Sequence, residues 1–175
     1  LAPHAIHLRD GKKLGDAQII DTMIKDGLWD AFHGYHMGVT AENVATKFQV
    51  TREDQDKFAL KSQEKALQAQ KENKFKEEII NFKIKSKKTE TIFAKDEHPR
   101  EGINLEALSR LKPVFKKEGT VTAGNASGIN DGAAAITLMS EEEAEKRSLK
   151  KLVSIKSWAS CGVDPALMGT GPIPS

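Results

Sequence analysis

Residues 119–132 read GTVTAGNASGINDG, with glycine at positions 119, 124, 128 and 132 and small or polar residues between them. Glycine inside a helix or strand costs ~0.5–1 kcal/mol relative to alanine, so this spacing predicts a loop whose backbone approaches something closely. Asn125 and Ser127 could offer hydrogen bonds to a bound molecule. A tight connection packed on a helix is the alternative. Neither a Gly-Lys-Ser/Thr phosphate loop nor a Gly-x-Gly-x-x-Gly dinucleotide motif is present.

A second candidate stretch, YHMGVTAENVA, covers residues 35–45 and places His36 and Met37 just before a glycine. A histidine can transfer a proton or hydrogen-bond a ligand near neutral pH. The structural alternatives are a hydrogen bond beside Tyr35 for the histidine and core filling for the methionine.

The stretch MGTGPIPS, residues 168–175, is a glycine- and proline-rich loop. It could present Met168 to a cavity, or it could be a plain loop. His33 and His36 have no cysteine or acidic residue at a spacing that completes a metal site. Cys161, the one cysteine, has no activating neighbour in the sequence and is interpreted as a structural thiol.

Composition narrows the function classes. The chain has 175 residues, of which 38% are hydrophobic, enough to bury a core. The near balance of 27 basic and 25 acidic residues argues against nucleic-acid binding. A single cysteine excludes an internal disulfide and fits a reducing compartment. No apolar run approaches the ~18 residues of a membrane span. Both ends of the chain look cut, so we expect a fragment.

Hydrophobic spacing and capping residues predict helices and strands along the chain. The predicted helices are residues 15–32, interrupted at Gly27; 41–48, capped by Thr40; 51–73, opened by a Thr51–Asp54 capping box; 104–111, capped by Asn104; and 141–149, opened by Ser140 and Glu143. Residues 78–85 and 91–95 are predicted to form a hairpin that turns at 86–90. Residues 133–139 are interpreted as a buried strand or small-residue helix, and 152–159 as a strand. Residues 1–15 show neither the hydrophobic spacing of a helix nor the alternation of a strand, and we expect them to form an extended arm.

Five stretches taken together resemble one family. They are APH…GDAQIIDTMIKDGL, HMGVTAENVA, TREDQDKFALKSQEKALQAQ, GTVTAGNASGINDGAAA and GVDPALMGTGPIP. In this order they are similar to thiolases, and the branch they resemble is that of the biosynthetic acetyl-CoA acetyltransferases, also called acetoacetyl-CoA thiolases. The similarity extends over essentially all 175 residues.

The resemblance implies an α/β fold of the thiolase type, a layered αβαβα core built from two similar halves. A long α+β loop domain, inserted into the first half, covers the active site. Residues 1–120 are then the CoA-binding loop domain, 121–150 the end of the N-terminal core half, and 151–175 the start of the C-terminal half.

The resemblance also implies which residues meet coenzyme A. Ser127 would contact a pantetheine amide, while Ala123 and Gly124 would line the tunnel for the pantetheine arm. His36 and Met37 would line its inner end, with Met168 opposite. Arg100 would lie near the adenine nucleotide. The residues expected around the adenine and the arm are Leu28, Leu111, Val114 and Phe115. Ala107 stands where some relatives carry a serine that contacts CoA.

The implied reaction is the reversible Claisen condensation of two acetyl-CoA molecules to acetoacetyl-CoA and CoA through a cysteine acyl-enzyme. The family's catalytic cysteines and histidine would lie outside this stretch, so we expect the 175 residues alone to be inactive. Coenzyme A would be substrate and product, and no separate cofactor or metal is expected. The resemblance further implies a homotetramer with contacts near residues 1–13, and a cytoplasmic or mitochondrial enzyme.

Three alternatives stay open at this point. A degradative 3-ketoacyl-CoA thiolase would act on longer chains, although histidine before Met37-Gly38 favours the short-chain branch. A non-catalytic CoA- or lipid-binding relative could keep the loop domain without the cysteines. A plain α/β interaction module would bind no ligand.

Overall fold

The computed structural model describes residues 2–9, 11–86 and 89–175. The chain divides into two units: residues 1–40 with 129–175, and residues 41–128. This division does not test the domain boundaries that the resemblance implies, which stay a prediction.

The first unit contains two short antiparallel pairs. Strand β1 (His4–Ala5) pairs with β2 (Ile20–Asp21), and β3 (Trp29–Asp30) pairs with β4 (Tyr35–His36). A π-helical turn lies between the pairs at Met23–Gly27. The predicted helix over 15–32 is therefore wrong except for this one turn, because its two ends pair as strands instead. The predicted arm is extended only in part: it contains β1, but the Gly11 N–H donates to the Leu8 carbonyl at 3.0 Å and the chain bends at residues 13–15. Leu1 and Asp10 lie outside the described residues.

Later in the first unit, helix α4 (Glu141–Lys146) is followed by a 3₁₀ helix at Pro165–Thr170. Ser140 caps α4 as predicted, since its hydroxyl accepts a hydrogen bond from the backbone N–H of Glu143 at 3.2 Å. The stretch that carries Met168 is thus a 3₁₀ turn over part of its length, and not a plain loop.

Helix α1 (Met37–Phe48) starts three residues earlier than its predicted cap. Thr40 does not cap it: the Thr40 hydroxyl donates to the Met37 carbonyl at 2.6 Å from within the first turn. Threonine can satisfy a carbonyl in this way inside a helix as well as cap one, so the residue type alone does not fix the boundary.

The second unit is dominated by helix α2 (Arg52–Lys71). Its predicted capping box is confirmed, because Thr51 and Asp54 exchange side-chain and backbone hydrogen bonds. Helix α3 (Leu105–Ser109) begins at its predicted cap, Asn104, whose side chain accepts from the N–H of Ala107 at 2.9 Å. Helix α3 packs against α2.

The predicted hairpin is confirmed as β5 (Phe82–Lys85) and β6 (Glu90–Phe93), in the register Phe82 opposite Phe93. The predicted turn includes Lys87 and Lys88, which lie outside the described residues.

Two predicted core elements do not form. Residues 133–139 and 152–159 have no regular structure, and their apolar side chains are exposed, with Trp158 at 86%. A strand is stable only when neighbours satisfy its backbone groups and cover its apolar face. Within the described residues neither stretch has a paired strand.

The buried side chains of the second unit lie around the beginning of the glycine-rich loop. They include both apolar and polar residues: Ala45, Leu108, Val121, Thr122, Glu42 and Asp56. The two side chains that are most completely buried, Leu108 and Thr122, belong to α3 and to the loop itself. The best packed part of this unit is therefore the part that positions residues 119–128.

Candidate functional site: a cleft between α3 and the glycine-rich loop

Glu42 on α1 anchors the start of the loop. Its carboxylate accepts hydrogen bonds from the N–H of Val121 at 2.8 Å, from the N–H of Thr120 at 2.8 and 2.9 Å, and from the Thr120 hydroxyl at 2.9 Å. The carboxylate is buried, and a Cβ added to Gly119 would overlap it. The first glycine of the loop is therefore required by the close approach of Glu42.

These hydrogen bonds keep Glu42 ionised. Burial raises the pKa of its carboxyl, but the N–H groups of Val121 and Thr120, the Thr120 hydroxyl and the charge of Lys116 lower it by more. The net pKa lies below the ordinary value of 4.5. A buried carboxylate with several donors is a strong anchor for a backbone segment, because losing the charge would leave those donors poorly satisfied.

Asn125 fixes the shape of the loop from inside. Its Oδ1 accepts from the N–H of Thr122 at 2.8 Å, and its Nδ2 donates to the Thr120 carbonyl at 3.0 Å. The same Nδ2 donates to Oδ1 of Asp56 at 3.0 Å. The hydrogen bonds that Asn125 was expected to offer to a ligand are thus used within the protein.

Arg52 and Asp56, one turn apart on α2, complete this network. The Nε of Arg52 lies 2.8 Å from Oδ2 of Asp56, whose side chain is 5% exposed. The Nη2 of Arg52 donates to the carbonyls of Leu108 and Leu111 at 2.7 and 3.0 Å. The pair therefore holds the end of α3 as well as the loop.

Gly124 lies against Leu108 of α3 and against Leu111, which follows the helix. A Cβ at this position would be 2.5 Å from Cδ1 of Leu111 and 2.6 Å from Cδ2 of Leu108, far closer than atoms can pack. The packing of the loop on a helix, one of the two interpretations of the glycine spacing, is thus present at this residue. It is a sufficient reason for glycine here, whether or not a ligand also lies against the backbone.

A cleft of about 350 Å³ lies between α3 and the loop. One wall carries Ala107, Leu108 and Leu111, and the other carries Ala123, Gly124 and Ala126. The rest of the lining consists of Gln63 of α2 together with His98, Arg100, Glu101, Gly102 and Ile103. Small or apolar residues form these two walls. The charged residues that line the cleft, Arg100 and Glu101, both lie within residues 98–103.

Four of the predicted site residues line this cleft: Arg100, Leu111, Ala123 and Gly124. Ala107, the position where a polar contact was expected to be lost, also lines it. Arg100 is held by its backbone N–H, which donates to Oε1 of Gln63 at 3.0 Å. The Arg100 residue is exposed.

Three further predicted residues of the same unit are not among the lining residues: Val114, Phe115 and Ser127. Val114 is exposed and its N–H donates to the Val121 carbonyl at 3.0 Å, which ties the segment after α3 to the start of the loop. Phe115 is half-buried, and Ser127 is exposed. Their contact with a ligand stays a prediction.

The remaining predicted residues belong to the first unit and are described separately. Leu28 and Met37 are tied together, because the Met37 N–H donates to the Leu28 carbonyl at 2.8 Å. The Nδ1 of His36 accepts from the Gly38 N–H at 3.0 Å, so the neutral imidazole carries its proton on Nε2. Met168 lies in the 3₁₀ helix and is 39% exposed. The expected placement of Met168 opposite His36 stays a prediction.

The buried carboxylate of Asp30 stabilises the β3–β4 hairpin, which carries His36. The sequence analysis did not predict this role. Oδ1 of Asp30 accepts from the N–H groups of Phe32 and His33, and Oδ2 lies 2.8 Å from Nδ1 of His33. The His33 ring stacks on Tyr35 with centroids 5.3 Å apart. An aspartate just before a turn often accepts hydrogen bonds from backbone N–H groups one or two residues further on, so the sequence pattern could have predicted the Asp30 contacts.

Glu42, Arg52 and Asp56 were missed for a related reason. Each of these charged residues lies on a helix face that packs against the protein, where a charge is stable only if it is paired or hydrogen-bonded. Arg52 and Asp56 also have the i, i+4 spacing of an ion pair. Their long-range partners, near residues 108–125, cannot be read from either helix alone.

A larger cavity of about 820 Å³ lies elsewhere in the second unit, between the second half of α2 and residues 73–96. None of the predicted site residues line it. Within residues 2–9, 11–86 and 89–175, no group of histidine, cysteine, aspartate and glutamate side chains could hold a metal ion. Cys161, interpreted as a structural thiol, is exposed.

No helix in the part of the chain that the structure describes is both long and apolar enough to cross a bilayer.

The family model of the thiolase N-terminal domain matches residues 2–142. The chain belongs to the thiolase family. Its expected thiolase fold is confirmed by solved structures. An acetyl-CoA acetyltransferase of Bacillus anthracis matches 98% of the chain with a TM-score of 0.87 and 46% identity. Human mitochondrial 3-ketoacyl-CoA thiolase matches 99% of it with a TM-score of 0.88 and 41% identity.

Curated thiolases show the same relationship in sequence. The chain is 59% identical over all of its 175 residues to an acetyl-CoA acetyltransferase of Rhizobium meliloti. It is 54% identical, over 99% of its length, to the cytosolic acetyl-CoA acetyltransferase of Rattus norvegicus. The chain spans 44% of the length of each of these thiolases.

Proposed function

We propose that the intact protein is an acetyl-CoA C-acetyltransferase, and that this chain supplies much of its coenzyme A site. The observation that carries the proposal is the cleft between α3 and the glycine-rich loop. It joins four of the residues expected to meet CoA, and its walls are small and apolar. The pantetheine arm of CoA is a narrow, uncharged chain with two amides, which suits walls of this kind.

In the proposed site the chain's residues bind and orient the substrate. Arg100 would offer its guanidinium to the phosphates of the nucleotide, because a guanidinium pairs well with phosphate oxygens. Ala123 and Gly124 would allow the arm close to the backbone, and Ser127 would hydrogen-bond one of its amides. His36, with its proton on Nε2, would be a donor near the thioester end.

The proposed reaction joins two acetyl groups. An acetyl group passes from acetyl-CoA to a cysteine thiolate and releases CoA. The enolate of a second acetyl-CoA, formed by loss of an α-proton to a base, then attacks this thioester and displaces the thiolate as acetoacetyl-CoA forms. The α-proton is weakly acidic, so the step needs a base and donors to the enolate oxygen. We place these groups outside the 175 residues.

Two tests on the intact protein decide the proposal. Calorimetry should show binding of CoA and acetyl-CoA, and a spectrophotometric assay should show thiolysis of acetoacetyl-CoA by CoA. Binding without turnover would favour a non-catalytic CoA-binding relative instead. Absence of CoA binding by the folded protein would refute both the acetyltransferase and the non-catalytic CoA-binding relative. An interaction module that binds no ligand would then be the remaining alternative.

A degradative 3-ketoacyl-CoA thiolase is the second candidate, favoured by the TM-score of 0.88 to the human mitochondrial enzyme of that name. The higher identity to proteins named acetyl-CoA acetyltransferase supports the short-chain proposal. Thiolysis rates for acetoacetyl-CoA and for 3-ketoacyl-CoA of increasing chain length separate the two. The short-chain proposal requires kcat/KM to be greatest for acetoacetyl-CoA.

We further propose that CoA acts as substrate and product and not as a resident cofactor, that the intact protein is a homotetramer, and that it works in the cytoplasm. The name of the rat relative, a cytosolic enzyme, supports the last of these. Light scattering of the intact protein tests the assembly, and fractionation of its cells tests the compartment.

A further inference from the structure

Two ion pairs with the same i, i+4 spacing lie side by side in the first turns of α2. Glu53 and Lys57 pair at 2.6 Å with both side chains more than half exposed. Arg52 and Asp56 pair at 2.8 Å, and the Asp56 side chain is 5% exposed. An exposed pair of this kind adds a few tenths of a kcal/mol to a helix. A buried pair must also overcome the cost of removing its charges from water, so helix stability alone does not account for it.

Arg52 connects this buried pair to one wall of the cleft. Its Nη2 donates to the carbonyl oxygens of Leu108, in α3, and of Leu111, just after it, and both residues line the cleft. A planar guanidinium can bind Asp56 with Nε while Nη2 binds both carbonyls, and a lysine ammonium cannot match this fork.

Asp56 connects the pair to the other wall. Its Oδ1 accepts from Nδ2 of Asn125, and Asn125 lies between the lining residues Gly124 and Ala126. Asn125 in turn holds the N–H of Thr122 and the carbonyl of Thr120, so a movement of its side chain would move the whole turn. The two oxygens of one carboxylate thus bind groups attached to opposite walls.

We propose that the Arg52–Asp56–Asn125 bridge sets the separation of the two cleft walls and so determines how tightly the narrow arm of the ligand is held. Asp56 is then a positioning residue for CoA binding, although neither it nor Arg52 lines the cleft. The inference rests on the proposed function, because it takes the CoA arm as the occupant of the cleft.

The test is Asp56→Asn in the intact protein. The amide has the shape of the carboxylate but turns one acceptor into a donor, which would face the donor of Arg52 or of Asn125. We expect the dissociation constant for CoA to rise about tenfold, which is ~1.4 kcal/mol. The KM for acetyl-CoA should rise with it, while kcat per folded active site changes by less than about twofold. Glu53→Gln, which removes a carboxylate from the exposed pair on the same helix turn, is the matched control. It should change neither the dissociation constant for CoA nor the KM for acetyl-CoA.

The division between KM and kcat distinguishes positioning from general stability. A variant that merely unfolds in part has fewer active molecules, and the remaining folded molecules bind CoA with the original affinity. Wild-type CoA affinity and KM in folded Asp56→Asn would overturn the inference. Failure of the unmodified protein to bind CoA would instead overturn the proposed function.

Arg52→Lys keeps the inference testable if Asp56→Asn does not fold. It retains the charge beside Asp56 and removes the fork to the two carbonyls. We expect the dissociation constant for CoA to rise at least about threefold. Unchanged CoA affinity in this folded variant would show that the hydrogen bonds from Arg52 to the two carbonyls do not affect the cleft. That result would overturn the inference.

Discussion

Gly124 lies so close to Leu108 that a Cβ on the glycine would come within 2.6 Å of the leucine Cδ2. Leu108 is 1% exposed, and Cδ1 of Leu111 would lie only 2.5 Å from the same Cβ. We therefore expect Gly124→Ala to lower the stability of the ligand-free intact protein by about 1–3 kcal/mol, the usual cost of overpacking a well-packed site. A shift in melting temperature measures it.

Gly132→Ala is the control for this prediction, because a Cβ there would meet nothing within 4 Å. Its melting temperature should stay close to that of the unmodified protein. The contacts with Leu108 and Leu111 predict that Gly124→Ala lowers stability whether or not CoA also lies against this backbone. An unchanged melting temperature with CoA affinity reduced about tenfold would favour the ligand as the sole reason for the glycine.

Local signals in the sequence predicted local structure well. The Thr51–Asp54 box, the Asn104 cap and the hairpin near residue 90 depend on residues a few positions apart, and each is confirmed. The start of α1 was misplaced because Thr40 bonds a carbonyl within the helix. Capping chemistry is short-range, so a single sequence contains most of the information that determines it.

Glu42→Gln should destabilise the intact protein in a way that depends on pH. The folded state holds the pKa of this carboxyl below its ordinary value of 4.5, so the ionised form binds its partners more strongly than the protonated form does. Its contribution to stability is present in full above about pH 4.5 and is lost as the pH falls through the lowered folded pKa. We expect a loss of about 1–3 kcal/mol at pH 7 and a smaller difference from the unmodified protein near pH 3.5.

Melting curves at several pH values check this prediction. The difference between Glu42→Gln and the unmodified protein should shrink as the pH is lowered. A constant difference would mean that the charge of Glu42 is not what holds the backbone of Thr120 and Val121.

Long-range packing could not be predicted in the same way. Residues 133–139 and 152–159 have the apolar composition of core strands, but they form none in this chain and expose their side chains. The groups that Arg52 and Asp56 bind outside α2 likewise belong to residues more than fifty positions away. Of the residues that line the cleft, the family resemblance named Arg100, Leu111, Ala123 and Gly124, while the charged groups that hold the walls in place required the structure.

Thr51→Ala should remove two of the three hydrogen bonds that join Thr51 and Asp54 at the start of α2, because the Thr51 hydroxyl takes part in both. The Thr51 hydroxyl accepts from the Asp54 N–H at 3.1 Å, and that N–H has no other partner within the helix. We expect a loss of about 0.5–2 kcal/mol, measured as a lower melting temperature. Ser62→Ala, at an exposed position in the middle of α2, is the control and should be neutral or slightly stabilising because alanine is the better helix former. Equal effects of the two substitutions would contradict a role for the cap.

Ser127→Ala should weaken CoA binding to the intact protein without lowering its melting temperature. Ser127 is exposed, and among the described residues its hydroxyl has no hydrogen-bond partner whose loss would affect the fold. A single neutral hydrogen bond to a pantetheine amide is worth about 0.5–1.5 kcal/mol, which corresponds to a rise of roughly two- to twelvefold in the dissociation constant. Ser109→Ala is the control, because the Ser109 hydroxyl is already bonded to the Glu106 carbonyl at 2.9 Å within α3. Calorimetry that finds the same CoA affinity in Ser127→Ala as in the unmodified protein would remove Ser127 from the proposed site and leave the cleft residues to hold the arm by shape alone.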